Sequence, residues 1–226
     1  MAVHVLDPKL AEEAQAVAAQ LATEQVASRL AAQDPTLWGP DAEQEAGIRL
    51  SWTSLHETSR PLVSRIEALR GELHAEGVDR VVLAGMGGSS LAPEVITGTA
   101  GVPLTVLDTT DPAQVADALA GDLARTVLVV SSKSGSTVET DSHRRIFFDA
   151  FTAAGIDAKS RIVVVTDPGS PLAQLGADEK YRAVFLADPH VGGRYSALTA
   201  FGLVPAGLAG ADVARLLDQA AAAAQV

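Results

Sequence analysis

Small hydroxyl side chains follow an aliphatic run in the middle of the chain, where the sequence is TVLVVSSKSGSTVET. Four of them can each donate a hydrogen bond to an anion: Ser132, Ser134, Ser136 and Thr137. Gly135 permits the loop to fold over such a ligand. Lys133 could either contact the anion directly or hold the loop through carbonyl groups. The alternative is a serine-rich turn without a ligand, in which Ser136 or Thr137 caps the next helix.

A second loop of small residues, AGMGGSSLAP, follows an earlier aliphatic run. Its glycines let the backbone approach a ligand closely, and the N–H groups at the start of the next helix face an anion. Gly88 and Ser89 are the candidates for this contact. The loop lacks the Gly-Lys-Ser/Thr of a Walker motif and departs from the G-x-G-x-x-G pattern of dinucleotide-binding turns. It predicts a phosphate cradle, with a tight strand–helix turn as the alternative.

A third glycine-containing stretch, ADPHVGGRYSALTAFGL, places Arg194 directly after Gly192 and Gly193. A guanidinium presented in this way could bind a small anion. A surface salt bridge would explain the arginine equally well, so this stretch indicates little unless the other two loops lie near it.

The elements that must position these loops are short aliphatic runs alternating with amphipathic stretches: RVVLAG, LTVLD, TVLVVSS, RIVVVTD and RAVFLAD. Strands that are apolar throughout and joined by helical crossovers are typical of a parallel sheet covered on both faces. The predicted fold is α/β, a three-layer α/β/α sandwich of flavodoxin-like type with a five-stranded parallel sheet, preceded by an N-terminal helical segment. Ligands of such sheets bind beyond the carboxyl ends of the strands, where all three loops fall.

The predicted domains are a helical segment over residues 1–77 and an α/β domain over residues 78–226. After the third loop we expect further helix, interrupted near Pro205 and restarted around Asp212, because proline breaks a helix interior. The last residues, LLDQAAAAAQV, stop inside a helical pattern without a glycine cap or a proline stop. This ending favours a fragment of a longer protein over a complete chain.

The titratable side chains form no metal-ligating pattern. The five histidines are dispersed, and the chain has no cysteine, so we predict no metal site and no cofactor. His143 lies beside two arginines on a predicted helix and is expected to face solvent. Glu139 falls in the first turn of that helix, where the helix dipole favours any carboxylate.

Composition excludes several classes of protein. A net charge of −11 argues against general nucleic-acid binding, and 4% aromatic residues argue against a base-stacking platform. The N-terminal sequence lacks the pattern of a secretory signal, and no apolar stretch is long enough to span a membrane. We expect a cytoplasmic protein that binds neither nucleic acid nor membrane.

Taken in order, GMGGSSLAP, SSKSGSTVET and GGRYSALTAFGLVP resemble the sugar isomerase (SIS) phosphosugar-binding domain, specifically the N-terminal SIS domain of the glucose-6-phosphate isomerase family. The third motif is the most specific, because GGRYS followed by LTAFGL is similar to the signature around that family's active-site arginine. The second departs from the family's loop at Ser134, Gly135 and Ser136, where the family has a threonine, a bulkier residue and a threonine. Donor hydroxyls are retained, whereas the shape of the loop could differ.

The resemblance implies a sugar phosphate as the ligand and gives roles to individual residues. The substrate phosphate would be held by Gly88, Ser89, Ser132, Lys133, Ser134 and Thr137. Arg194 would stabilise the enediolate intermediate of an aldose–ketose isomerisation, here between glucose 6-phosphate and fructose 6-phosphate in glycolysis and gluconeogenesis. Glu139 would play at most a supporting part. The family also usually forms homodimers.

The family's glutamate base, ring-opening histidine and lysine lie in a second SIS domain and a C-terminal helix. No Glu, His or Lys follows Arg194 in this chain, so we expect a phosphate-binding part of the enzyme with little or no activity of its own. Two alternatives stay open: a stand-alone SIS module that senses a sugar phosphate without catalysis, and a Rossmann-like nucleotide binder. The arginine of GGRYS disfavours the former, and the glycine spacing disfavours the latter.

Overall fold

Five parallel strands form the centre of the fold in the computed structural model, which describes residues 4–225. The strands are β1 (Arg80–Gly85), β2 (Thr105–Leu107), β3 (Thr126–Ser132), β4 (Ile162–Thr166) and β5 (Ala183–Leu186). Their order in the sheet is β2-β1-β3-β4-β5. The chain thus builds the sheet in one direction from β1 to β2 and in the other from β3 to β5, which puts the topological switch between β1 and β3.

Helices cover both faces of the sheet. One face is covered by α5 (Arg60–Ala75), α6 (Leu91–Ala100), α10 (Ala200–Ala209) and α11 (Val213–Ala223), and the other by α7 (Pro112–Leu119), α8 (Val138–Ala153) and α9 (Pro171–Asp178). Every residue of β3 and β4 is buried, as expected of strands between two helical layers. The predicted three-layer sandwich with a five-stranded parallel sheet is confirmed.

The interior helix α10 differs from its prediction. Pro205 does not interrupt it; the helix continues to Ala209 and ends at Gly210, whose φ is 110°. A proline inside a helix costs about 3 kcal/mol, which burial of apolar side chains can offset. All residues from Ala200 to Leu208 are buried, so packing outweighs the local preference. The predicted restart is found at Val213, with Asp212 as the N-cap of α11.

The chain divides into two compact units, with the break between Ser54 and Leu55. The first unit contains α1 (Pro8–Thr23), α2 (Val26–Ala31) and α3 (Glu43–Ala46), and the described residues of these helices include no buried ones. The second unit begins with α4 (Leu55–Thr58) and α5. Ile66, Leu69 and Leu73 of α5 belong to the core of the sheet. The boundary at 77/78 stays a prediction about where the sugar isomerase domain begins, and α5 packs on the sheet although it precedes that boundary.

Candidate functional site

The loops that follow β1 and β3 start side by side at the carboxyl edge of the sheet. Gly85, the last residue of β1, is paired with Ser131 of β3. A Cβ atom on Gly85 would lie 3.1 Å from the Ser131 carbonyl oxygen and 2.9 Å from that of Ser89. Glycine at this position therefore lets the first loop fold back against the strand pair at the topological switch.

The first loop, Met86–Ser90, is a tight turn leading into α6. Gly87 has a φ of 57°, a left-handed conformation that favours glycine. Ser90 donates from Oγ to the Gly87 carbonyl oxygen at 3.1 Å, which closes the turn. Ser89 is 7% exposed and Gly88 is half-buried, and their role in a phosphate cradle stays a prediction.

The loop after β3, Ser132–Thr137, is here called the hydroxyl loop, and its hydroxyl groups bond to one another. The Ser132 Oγ and Thr137 Oγ1 atoms are 2.8 Å apart, and the Gly135 N–H donates to Ser132 Oγ at 3.1 Å. Ser136 donates from Oγ to Ser134 Oγ at 3.2 Å. Thr137 is the N-cap residue of α8, but its side chain makes no cap hydrogen bond, because its hydroxyl is directed to Ser132. The hydroxyl groups of the loop thus lie together just before the start of α8, a sixteen-residue helix.

The turn after β4, here called the β4 turn (Thr166–Ser170), supports the hydroxyl loop from one side. Thr166 donates from Oγ1 to the Ser132 carbonyl oxygen at 2.7 Å and lies 2.7 Å from Ser170 Oγ. Gly135 has a φ of +69°, and a Cβ there would lie 2.9 Å from Ser170 Oγ and from the Leu172 nitrogen. Glycine at this position therefore fits closely against the β4 turn.

The Lys133 side chain spans from the hydroxyl loop to the β4 turn. Its Nζ donates to Asp167 Oδ2 at 2.6 Å and to the Pro189 carbonyl oxygen at 3.4 Å. The sequence left open whether this ammonium contacts an anion or holds the loop, and its contacts among the described residues are to the β4 turn and to the stretch after β5. Ser170 is the N-cap residue of α9, and its Oγ accepts from the Ala173 N–H at 3.0 Å. The sequence signal that could have pointed to Asp167 and Ser170 as supports of the hydroxyl loop is their position at the carboxyl end of β4, the strand next to β3.

The stretch after β5 crosses back to the first loop. Gly193–Leu198 is a short 3-10 helix, here called the arginine segment together with Thr199 at its end. Ser196, 3% exposed, places its Oγ 3.0 Å from the Gly88 carbonyl oxygen and 2.7 Å from that of Gly193. A Cβ on Gly88 would lie 2.4 Å from the Gly193 carbonyl oxygen, so the two backbones touch. The first and third motifs are therefore brought into direct contact.

Arg194 lies on the exposed side of this segment. Among residues 4–225 its guanidinium forms no hydrogen bond and no ion pair, which removes the surface salt bridge considered from the sequence. A guanidinium in this setting is available to an anion, and its backbone is held by Ser196 one turn away.

His143 and Glu139 are neighbours on α8, and the prediction for His143 is wrong. The side chain is 3% exposed because α8 turns this face toward the interior, where Phe147 and Phe151 are also buried. Burial lowers the pKa of His143 below its usual value, although a hydrogen bond to the Thr109 backbone and the charge of Glu139 oppose this shift. Glu139 is half-buried.

A groove of about 440 Å³ opens beside the hydroxyl loop and lies within the usual range for small-molecule sites. Its lining includes Ser132, Gly135 and Thr137 of the hydroxyl loop and Leu172 of α9. No group of His, Asp or Glu residues in the described part of the chain could hold a metal ion. Within residues 4–225 no helix is long and apolar enough to cross a membrane.

Comparison with known proteins places these motifs in a family. The family model for phosphoglucose isomerase matches residues 52–225. A glucose-6-phosphate isomerase of Citrifermentans bemidjiense is 35% identical over 188 residues, which cover 76% of this chain and 36% of that protein. The chain thus spans little more than a third of the length of this curated relative.

Two solved structures share the fold. A hypothetical protein of Thermus thermophilus superposes with a TM-score of 0.74 at 32% identity, covering 95% of this chain and 50% of that one. A glucose-6-phosphate isomerase of Chlamydia trachomatis gives a TM-score of 0.66 at 27% identity, covering 77% of this chain and 38% of that one.

Proposed function

The chain belongs to the phosphoglucose isomerase family, and from this premise we propose that it is the sugar-phosphate-binding part of an enzyme that interconverts glucose 6-phosphate and fructose 6-phosphate. The observation that carries the proposal is the junction of three loops. The first loop and the hydroxyl loop start from paired strands, and the arginine segment touches the first loop at Gly88. The surface proposed to bind phosphate and the guanidinium of Arg194 are thus supported by one connected set of loops.

The phosphate is proposed to bind the hydroxyl loop and the first loop. Ser132, Ser134 and Thr137 supply hydroxyls, and the α8 N-terminus supplies backbone N–H groups and a favourable dipole. Gly88 and Ser89 complete the cradle from the β1 side, and Lys133 belongs to it through the loop that it holds.

Arg194 is proposed to act on the sugar rather than on the phosphate. Isomerisation between C1 and C2 develops negative charge on an enediolate, and a fixed cation stabilises such charge. The reaction also needs a positioned base, which we propose is supplied by sequence outside this chain. Glu139 is half-buried on α8 and would at most support the site.

Titration calorimetry with glucose 6-phosphate tests the phosphate site. We expect binding by the intact chain and an affinity loss of about tenfold in each of Ser132→Ala and Thr137→Ala, because a hydrogen bond to a charged group is worth about 1.5 kcal/mol or more. The matched control is Thr152→Ala, since Thr152 is an exposed α8 threonine whose hydroxyl bonds only within its own helix. Absence of binding to either sugar phosphate at millimolar concentration would overturn the proposal.

An isomerase assay separates the enzyme part from the alternative sensing module. This chain by itself should show little or no turnover, and turnover should appear when it is part of a longer polypeptide carrying a second SIS domain. Robust turnover by this chain would contradict the proposal that the base lies elsewhere. The proposal extends to a cytoplasmic enzyme of glycolysis and gluconeogenesis that acts as a homodimer, and light scattering on the longer polypeptide would check its mass in solution.

A further inference from the structure

We propose that Asp167 is a positioning residue for the hydroxyl loop and acts through the ammonium of Lys133, which serves as a brace and not as a phosphate ligand. The inference rests on the proposed function of that loop. It gives a role to an aspartate of the β4 turn, outside the three motifs from which the site was built.

The contacts of the pair connect three loops of the sheet edge. Lys133 Nζ lies 2.6 Å from Asp167 Oδ2 and 3.4 Å from the Pro189 carbonyl oxygen beyond β5. The Asp167 backbone N–H donates in turn to the Lys133 carbonyl oxygen at 3.4 Å. The side chain and the backbone of Lys133 are therefore both attached to Asp167. Removing the carboxylate charge of Asp167 would weaken the side-chain attachment of the loop at Lys133, its first residue after Ser132.

The burial of the pair shows that the aspartate is placed for this contact. The Lys133 and Asp167 side chains are 32% and 17% exposed. The second carboxylate oxygen, Oδ1, is buried and has no hydrogen-bond partner among the described residues. A carboxylate with one unpartnered oxygen bears a desolvation cost, which the ammonium on the other oxygen offsets.

The charge balance of the pair distinguishes a brace from a ligand. With its ammonium neutralised by a carboxylate, Lys133 adds little net positive potential for a phosphate. If Lys133 were instead a phosphate ligand, removing the carboxylate would free the ammonium and strengthen binding. If it is a brace, the same substitution weakens binding, so the two roles give effects of opposite sign.

The first experiment uses the ligand-free chain. In Asp167→Asn, amide hydrogen exchange at Ser134–Thr137 should accelerate about fivefold, the loss expected for a partly exposed ion pair. Asp178→Asn is the matched control, because Asp178 is an exposed aspartate that accepts from Gln174 within α9. Unchanged exchange in the hydroxyl loop of Asp167→Asn would overturn the inference, whether or not the chain binds a sugar phosphate.

The second experiment measures glucose 6-phosphate affinity in Asp167→Asn, Lys133→Met and the double variant. Each single variant should lose about fivefold, and the double variant should lose no more than either, because both remove one contact. The salt dependence of affinity should be the same in the double variant as in the parent chain, because removing both partners leaves the net charge of the pair unchanged. Tighter binding by Asp167→Asn, or a weaker salt dependence in the double variant, would show Lys133 to be a phosphate ligand. Failure of the parent chain to bind glucose 6-phosphate would reject the proposed function. The exchange measurement would then decide by itself whether the Lys133–Asp167 pair holds the hydroxyl loop.

Discussion

The hydroxyl loop and the arginine segment are held in place by different means. In the hydroxyl loop, the groups expected to bind phosphate also hold the loop: Ser132 bonds to Thr137 and to the Gly135 N–H. In the arginine segment, close backbone packing and Ser196 fix the fold, while the guanidinium of Arg194 is free of partners among residues 4–225. Binding and folding are thus coupled in the first region and separate in the second.

The largest effect is expected from a substitution that disturbs the packing between the arginine segment and α10. An alanine Cβ at Gly202 would lie 1.9 Å from the Ala197 carbonyl oxygen, so α10 or the segment must shift. We expect Gly202→Ala to destabilise the fold by about 3 kcal/mol and to lower the melting temperature by roughly 10 °C. Gly98→Ala is the control, because Gly98 is also helical and nothing lies within 4 Å of its added Cβ. Equal melting temperatures for the two variants would refute the packing argument.

The contact between the first loop and the arginine segment gives the next largest effect. In Gly88→Ala the added Cβ would lie 2.4 Å from the Gly193 carbonyl oxygen. We expect a loss of about 2 kcal/mol and chemical-shift changes that extend to Tyr195 and Ser196. Gly193→Ala, on the other side of the contact, meets nothing within 4 Å and should leave stability nearly unchanged. Shift changes confined to the first loop would mean that the two motifs are not coupled.

Coupling in the hydroxyl loop is tested by Thr137→Val, which keeps the shape of the side chain and removes its hydroxyl. The loop should lose about 1 kcal/mol of stability, because Ser132 Oγ loses one of its two hydrogen-bond partners and keeps only the Gly135 N–H. In a double-mutant cycle with Ser132→Ala the two losses should not add. Chemical denaturation of the four proteins measures this, and additive losses would indicate that the two hydroxyls are independent.

Lowering the pH should destabilise the fold through His143 of α8, the helix that follows the hydroxyl loop. The pKa of His143 is lowered in the folded chain, so below the ordinary value of 6.5 the unfolded chain binds this proton more readily. Its contribution is therefore complete above pH 6.5 and is lost as the pH falls toward the folded pKa. Melting temperatures between pH 5 and pH 8 should show this slope in the parent and in the His74→Gln control, since His74 is exposed. A slope that persists unchanged in His143→Gln would assign it to another group.

The smallest stability effect is expected at Arg194. Arg194→Gln should leave the melting temperature unchanged, because the guanidinium forms no hydrogen bond or ion pair among the described residues. The same variant, placed in a longer polypeptide with isomerase activity, should lower kcat while retaining phosphate binding. A substantial drop in melting temperature would show that Arg194 also stabilises the fold, so that binding and folding are not separate in the arginine segment.

The placement of the three loops could be predicted because each is a short run of glycine and hydroxyl residues that follows an aliphatic strand. Ser89, Ser132 and Arg194 were identified from runs of glycine and hydroxyl residues, and parallel strands must bring their carboxyl ends to one edge. Asp167 could not be identified as a support for the loop, because a turn of this composition also caps helices, and only the neighbouring strand shows what it faces. His143 was misassigned because adjacent arginines suggested a polar face, whereas α8 buries every third or fourth position.

The sequence by itself determined the alternation of buried strands and helices, the five-stranded sheet and the placement of three polar loops, since these follow from local hydrophobic patterning and residue type. Only the tertiary structure decided which groups within those loops are already bonded. It directed Thr137 to Ser132 and Lys133 to Asp167, and it left Arg194 free among the residues that the structure describes. The physical reason is that hydrogen-bond and ion-pair partners are selected by distances of about 3 Å between residues far apart in the chain, which no local pattern specifies.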